Sequence, residues 1–152
     1  MKRVSAKTRG FAKRLIAYEM TVGKSPPPDA TLPSAFLVCE KLRPLLTTLM
    51  GNVGFSALLS RALALAESEV AWLRALRVGP EAGSLEGFAE PQAHVSPDET
   101  VRGAVALVAQ LLQLLATFIG DELTLRFVRE VWPMLILDNP AFAKGNKNEE
   151  QE

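Results

Sequence analysis

The sequence predicts an all-α protein: a single-domain bundle of about five helices. Apolar side chains recur every three or four residues through most of the 152-residue chain, and the alternation typical of strands is nearly absent. Hydrophobic residues make up 48% of the chain and charged residues 22%, which is enough apolar material for one buried core. We therefore expect one helical domain over residues 1–140 and a polar, disordered tail over 141–152.

The first helix is expected at about residues 5–22. Phe11, Leu15 and Tyr18 follow each other at spacings of four and three, so they share one inward face. The segment KSPPPDA then ends the helix, because proline supplies no backbone donor and favours an extended chain.

The same N-terminal region is strongly basic, although Lys plus Arg and Asp plus Glu are both 17 over the whole chain. Its basic residues form a candidate binding face for phosphate groups on a nucleic acid or an anionic membrane. A solvated helix face is the alternative. The residues of the candidate face are Lys2, Arg3, Lys7, Arg9, Lys13 and Arg14.

Two further helices are expected before residue 79. The first runs from about 33 to 50 and is interrupted by Pro44, where it either kinks or restarts. The turn GNVG follows at 51–54. A long helix is then expected from about 55 to 78, closed by the Gly-Pro pair at 79–80.

The long helix has two different sides. Small residues at heptad spacing, Ala57, Ala64 and Ala71, form a candidate strip for close packing of a second helix, or they face solvent. On the opposite, leucine-rich side lies Glu69, where a carboxylate needs a partner such as an arginine or extends to solvent at the core edge. Residues 79–95 read as an acidic loop that contains His94, the one histidine, as a surface residue.

The clearest helix start is at Ser96, with proline at the next position and Glu99 three residues after the serine. This helix is expected to run to Ile119. Its stretch 104–119 has 16 residues, whereas a membrane span needs about 20, so we interpret it as the central core helix. A last helix follows Gly120 and ends near Pro133.

A membrane alternative exists for this part of the chain. A bundle could shelter a hydrophobic hairpin, formed by 103–119 and 123–137, and release it into a bilayer. Three charged residues of the second segment, Arg126, Arg129 and Glu130, would be costly in lipid and disfavour this alternative.

Two segments resemble each other within the chain. LLTTLMGN, which ends at Asn52, aligns without gaps on LLATFIGD, which ends at Asp121. One interpretation is two related helix-Gly-helix corners, in which Gly51 and Gly120 adopt a left-handed conformation and Asn52 and Asp121 cap the next helix. The other is coincidence between leucine-rich helices with the same stop chemistry.

Residues with obvious chemistry are scarce. No glycine-rich phosphate loop, Cys/His metal spacing or paired histidines occur, so we expect no catalytic residues, no metal and no cofactor, and infer no small-molecule substrate. Cys39 lies in an apolar run and is expected to be a buried thiol. A lone cysteine permits a reducing compartment.

The N-terminal segment lacks the uninterrupted apolar core of a signal peptide, so we expect a cytoplasmic protein. The segment is also basic, acid-poor and amphipathic, which is typical of an organelle transit peptide.

These features favour a non-enzymatic helical protein–protein interaction module, an adaptor or regulatory subunit that binds a protein partner or associates with itself. The alternative is a protein that binds nucleic acid or an anionic membrane through the basic first helix.

Overall fold

The computed structural model describes residues 6–21, 34–79, 85–87 and 95–133. The described residues are predominantly helical, as the sequence predicts. Among the described residues there are four α-helices, α1 (Ala6–Thr21), α2 (Leu37–Glu67), α3 (Pro97–Ile119) and α4 (Asp121–Val131). The expected tail at 141–152 lies outside the described residues.

Helix α3 is the centre of the core and packs against α1, α2 and α4. Every residue from 103 to 112 is buried, which confirms the interpretation of this apolar stretch as a core helix within the described part of the chain. Its start is also confirmed: the Ser96 hydroxyl accepts a hydrogen bond from the Glu99 backbone N–H at 3.2 Å, and Pro97 is the first helical residue.

Helix α2 follows a short 3-10 helix, Ser34–Phe36, and continues through Pro44. The hydroxyls of Thr47 and Thr48 donate to the Pro44 carbonyl at 3.1 and 2.9 Å. Proline therefore leaves the helix unbroken here, and the interruption comes at Gly51, whose φ of 81° and ψ of 164° are not helical.

Gly120 between α3 and α4 has a similar conformation, with φ 95° and ψ 155°. The positive φ that a left-handed conformation requires is present at both glycines. Their ψ angles are extended and not left-handed helical, so that part of the expectation was wrong; this combination of φ and ψ is essentially restricted to glycine. The expected Asp121 cap is wrong as well. Gly120 occupies the N-cap position of α4, and no side chain makes a capping hydrogen bond there in the described structure.

The expected long helix over 55–78 is wrong in its second half, since α2 ends at Glu67. Val70 is extended, a 3-10 helix covers Ala71–Ala75, and β1 (Arg77–Val78) pairs antiparallel with β2 (Leu85–Glu86). The 79–95 segment is therefore not simply a loop where it is described. The apolar spacing was misleading because Leu73 in the 3-10 helix and Leu76 in the extended chain just after it are still buried.

Candidate functional site

The four described residues of the candidate basic face all lie on α1, but not on one side of it. At about 100° per residue, Lys7 and Arg14 fall on one flank of the buried stripe, whereas Arg9 and Lys13 fall on the other. Lys2 and Arg3 lie outside the described residues. The positive charge of the helix is thus divided between two surfaces.

Arg9 forms a two-pronged ion pair with Glu69. Its Nη1 lies 3.1 Å from Oε1 and its Nη2 donates to Oε2 at 3.1 Å, with each side chain about one-third exposed. This bidentate geometry is the most specific that arginine and a carboxylate adopt. Of the two alternatives stated for Glu69, the structure shows features of both: the carboxylate has an arginine partner, and its side chain also reaches solvent. Glu69 lies just beyond the end of α2.

This ion pair forms one wall of a cleft between α1, the end of α2 and the start of α3. The cleft has a volume of about 540 Å³. Valines from two segments of the chain provide its apolar lining, and charged side chains surround them. The lining residues are Val70, Val101, Val105, Arg9, Lys13, Arg102, Glu69 and Asp98.

Two cations of the cleft have no strong ion pair with the described residues. Lys13 is exposed and makes no ion pair with the described residues. Arg102 lies 3.4 Å from Glu99 one turn earlier on α3, and both side chains are about half exposed or more. Because an exposed pair of this kind contributes little, Arg102 can turn toward a ligand at small cost.

A second polar cluster, centred on a buried glutamate, was not predicted from the sequence. Glu19 is 2% exposed; its Oε2 accepts a hydrogen bond from Trp132 Nε1 at 2.7 Å and lies 3.1 Å from Lys41 Nζ. The signal in the sequence was its position one turn after Leu15, on the inward side of α1. This cluster joins α1, α2 and the end of α4, and its role is structural.

The second half of α2 exposes an apolar side, which we call the α2 outer face and define as Val53, Ala57, Ser60 and Ala64. These residues recur at i, i+4, i+7 and i+11, and all are exposed, Val53 by 83%. Ala71, the last residue of the predicted strip, is exposed in the 3-10 helix. None of this face is covered by the described chain.

Two helices are long and apolar enough to cross a membrane by length and composition alone. The apolar window of α2 is 28% buried within the protein, whereas that of α3 is 61% buried. Core helices of water-soluble proteins also meet these criteria, so the finding is weak evidence for a membrane location.

Reactive groups are few in the described residues. Cys39 is buried, as expected, and burial together with the nearby Glu40 charge raises the pKa of its thiol to about 12. A thiol of this kind is a poor nucleophile at neutral pH. No cluster of three or more potential metal ligands occurs among the described residues, and His94 lies outside them.

The chain matches no protein-family model, and no curated protein or solved structure matches it significantly. Its function is therefore inferred from the surfaces and clefts of this structure.

Proposed function

We propose that this protein is a non-enzymatic helical interaction module, an adaptor or regulatory subunit, that binds a helix of a protein partner or of a second copy through the α2 outer face. The observation that carries the proposal is the poor burial of a strongly apolar helix. The apolar window of α2 is only 28% buried, and Val53 at one end of the outer face is 83% exposed.

The composition of the outer face suits a helical partner. The distance between two packed helices depends on the side chains between them, so Ala57, Ser60 and Ala64 permit a close approach of the two backbones. Val53 adds apolar area at one end. Exposed apolar patches that no part of the same chain covers are typical of interaction sites.

A pair of substitutions tests this proposal. Because Ala57 and Ala64 are exposed, Ala57→Lys and Ala64→Lys should leave the fold intact while placing long charged side chains on the outer face. Ala17→Lys, at an exposed alanine of α1, is the matched control. Light scattering over a concentration range measures self-association, and affinity capture from the host lysate measures partner binding.

We expect either self-association or capture of a protein partner that both α2 substitutions abolish and the Ala17→Lys control retains. A strict monomer that captures nothing, or association that the α2 substitutions leave unchanged, would refute the proposal. Circular dichroism of each variant establishes that the fold is retained. The cytoplasm is the location expected for such a module.

A second candidate function is binding of nucleic acid or an anionic membrane through α1. It is supported by the surface position of the basic residues of α1, none of which is buried, with Lys13 exposed. Counterion release then requires affinity for DNA, RNA or anionic vesicles to fall steeply with added salt, and to fall when Lys7, Lys13 and Arg14 are replaced by alanine. Absence of binding at low salt would remove this candidate.

A further inference from the structure

We infer that a second copy of this chain occupies the α2 outer face, packed antiparallel to the first about a two-fold axis at Ala64. This inference rests on the proposed function, because it names the partner for the same face. It derives from the charges of α2. Between Pro44 and Ser68 the chain carries only two charged residues, Arg61 and Glu67, and they are opposite in sign.

The two charges are placed symmetrically about Ala64 in the second half of α2. Arg61 lies three residues before Ala64 and Glu67 three residues after it, about 4.5 Å along the helix axis in each direction. At about 100° per residue, Arg61 falls about 60° to one side of Ala64 and Glu67 about 60° to the other. The α2 outer face is therefore bordered by one positive and one negative side chain at equal distances from Ala64.

Neither charge is neutralised within the described part of the chain. Arg61 is exposed and Glu67 is partly exposed, and neither forms an ion pair with another described residue. They do not pair with each other either, because side chains meet along one helix at spacings of three or four residues and these two are six apart. Both are therefore available to a partner that presents the opposite charge at each position.

A second copy presents these opposite charges when the two helices are antiparallel. A two-fold axis that crosses the interface at Ala64 reverses the helix direction, so Arg61 of each copy lies at the same height as Glu67 of the other. The like charges are then separated by about 9 Å along the helices. Ser60 and Ala64, the small residues at the centre, permit the close approach that both ion pairs need.

Other arrangements of two copies do not pair the charges. In a parallel pair every residue lies at the height of its own copy, so Arg61 would be closest to Arg61 and Glu67 closest to Glu67. An antiparallel pair with its axis at Ala57 would place Arg61 at the height of Val53 and leave both charges without a partner. The charge pattern therefore selects the position of the axis as well as the direction of the helices.

A residue on the axis contacts its own copy, which gives a direct test with introduced cysteines. Ala64→Cys should form a disulfide-linked dimer of the full chain in oxidised glutathione, because Cα atoms at the axis of two closely packed helices lie about 4–5 Å apart. Ala57→Cys is the matched control, since Ala57 is also exposed but its two copies would be about 21 Å apart along the helices. Gel electrophoresis without reductant measures the linked fraction, and Cys39 is buried in both variants.

Charge reversal tests the ion pairs. Arg61→Glu and Glu67→Arg each bring two pairs of like charges together, so each should raise the dissociation constant of the dimer by about tenfold or more in sedimentation equilibrium. The double variant Arg61→Glu/Glu67→Arg restores both pairs and should return the constant to within about threefold of wild type. Arg126→Glu, at an exposed arginine of α4, is the control and should leave association unchanged. Circular dichroism establishes that each variant retains the fold.

A linked dimer for Ala64→Cys alone, together with recovery in the double variant, would support the inference. It is overturned by equal linkage of Ala57→Cys, by a double variant as weak as the single ones, or by a wild-type chain that stays monomeric. In the last case the proposed function is judged separately. It stands if Ala57→Lys and Ala64→Lys abolish capture of another protein, and it falls with the inference if nothing is captured.

Discussion

The indole nitrogen of Trp132 donates a hydrogen bond to Oε2 of Glu19 at 2.7 Å, although 113 positions separate the two residues in sequence. Both side chains are 2% exposed. A carboxylate at this depth is tolerated only when its charge and its acceptor capacity are satisfied, and Lys41 Nζ at 3.1 Å supplies the charge. Three helical segments therefore meet at one oxygen atom.

Replacement of Glu19 by alanine should destabilise the protein by about 1–3 kcal/mol, because the buried Trp132 N–H loses its acceptor. Glu19→Gln retains an acceptor and loses only the attraction to Lys41, which is half exposed and can return to water. We expect an intermediate loss for Gln in urea unfolding at pH 7.

Glu130→Ala, at an exposed position of α4, is the control and should change little. If Glu19→Ala and Glu19→Gln were equally destabilised, the hydrogen bond to Trp132 would contribute nothing beyond the charge.

Alanine at Gly51 or Gly120 should cost about 1–3 kcal/mol each in thermal or urea unfolding. A Cβ at either position meets no atom within 4 Å, so the cost arises from the backbone alone, which has positive φ and extended ψ. Gly10→Ala is the control, because Gly10 is helical and equally open. That substitution should stabilise α1 by about 0.5–1 kcal/mol. If alanine at positions 51 and 120 left the stability unchanged, the chain would readily adopt another backbone conformation at these positions.

Gly103→Ala should destabilise the protein even though it lies inside α3. Helix propensity alone would favour alanine by about 1 kcal/mol. The added Cβ would lie 2.6 Å from Cζ2 of Trp72, whose ring is held by a hydrogen bond to the Glu99 carbonyl and by an edge contact with Phe36. Overpacking of this kind costs about 1–3 kcal/mol, so we expect the steric cost to exceed the gain in helix propensity.

Urea unfolding measures this loss, and Trp72 fluorescence should shift as the ring moves. A gain in stability equal to that of Gly10→Ala would show that Trp72 moves aside at no cost.

Cys39 should resist modification in the folded protein. Its pKa is raised to about 12 from an ordinary value of 9.0, so at pH 8 the thiol stays protonated and buried. Labelling by a thiol reagent should be slow in buffer and fast in 6 M urea. Fast labelling in buffer would show that the 34–67 region opens readily.

The same pKa shift predicts a loss of stability in alkali. The unfolded thiol ionises above pH 9 while the folded thiol does not, so stability is fully present below pH 9 and falls by at most roughly 1.4 kcal/mol per pH unit as pH rises toward 12. Urea unfolding of the wild type and of Cys39→Ala between pH 8 and 10.5 isolates the contribution of the thiol to the pH dependence of stability. Parallel pH profiles for the two proteins would contradict it.

Local signals were predictable from the sequence. The Ser96 cap involves residues three positions apart, and its chemistry depends on little else in the chain. The burial of 103–112 was likewise visible as a long apolar run with few polar interruptions.

The end of α2 was not predictable from spacing, because Leu73 in the 3-10 helix and Leu76 just after it are buried, which is what a continued α-helix would also lead one to expect. Nor was the cleft: Lys13, Glu69 and Arg102 come from three distant segments, and no local pattern indicates that they meet. The sequence suggested an arginine as a partner for Glu69 but did not indicate which one. The structure shows that the partner is Arg9.

The bond between Glu19 and Trp132 also places a condition on synthesis. A chain made from its N-terminus exposes α1 at the ribosome long before Trp132 has been added, and domains fold as units once their parts are available. Until then the carboxylate of Glu19 stays hydrated and has no reason to leave water. The inward side of α1 therefore docks fully only after translation has passed α4.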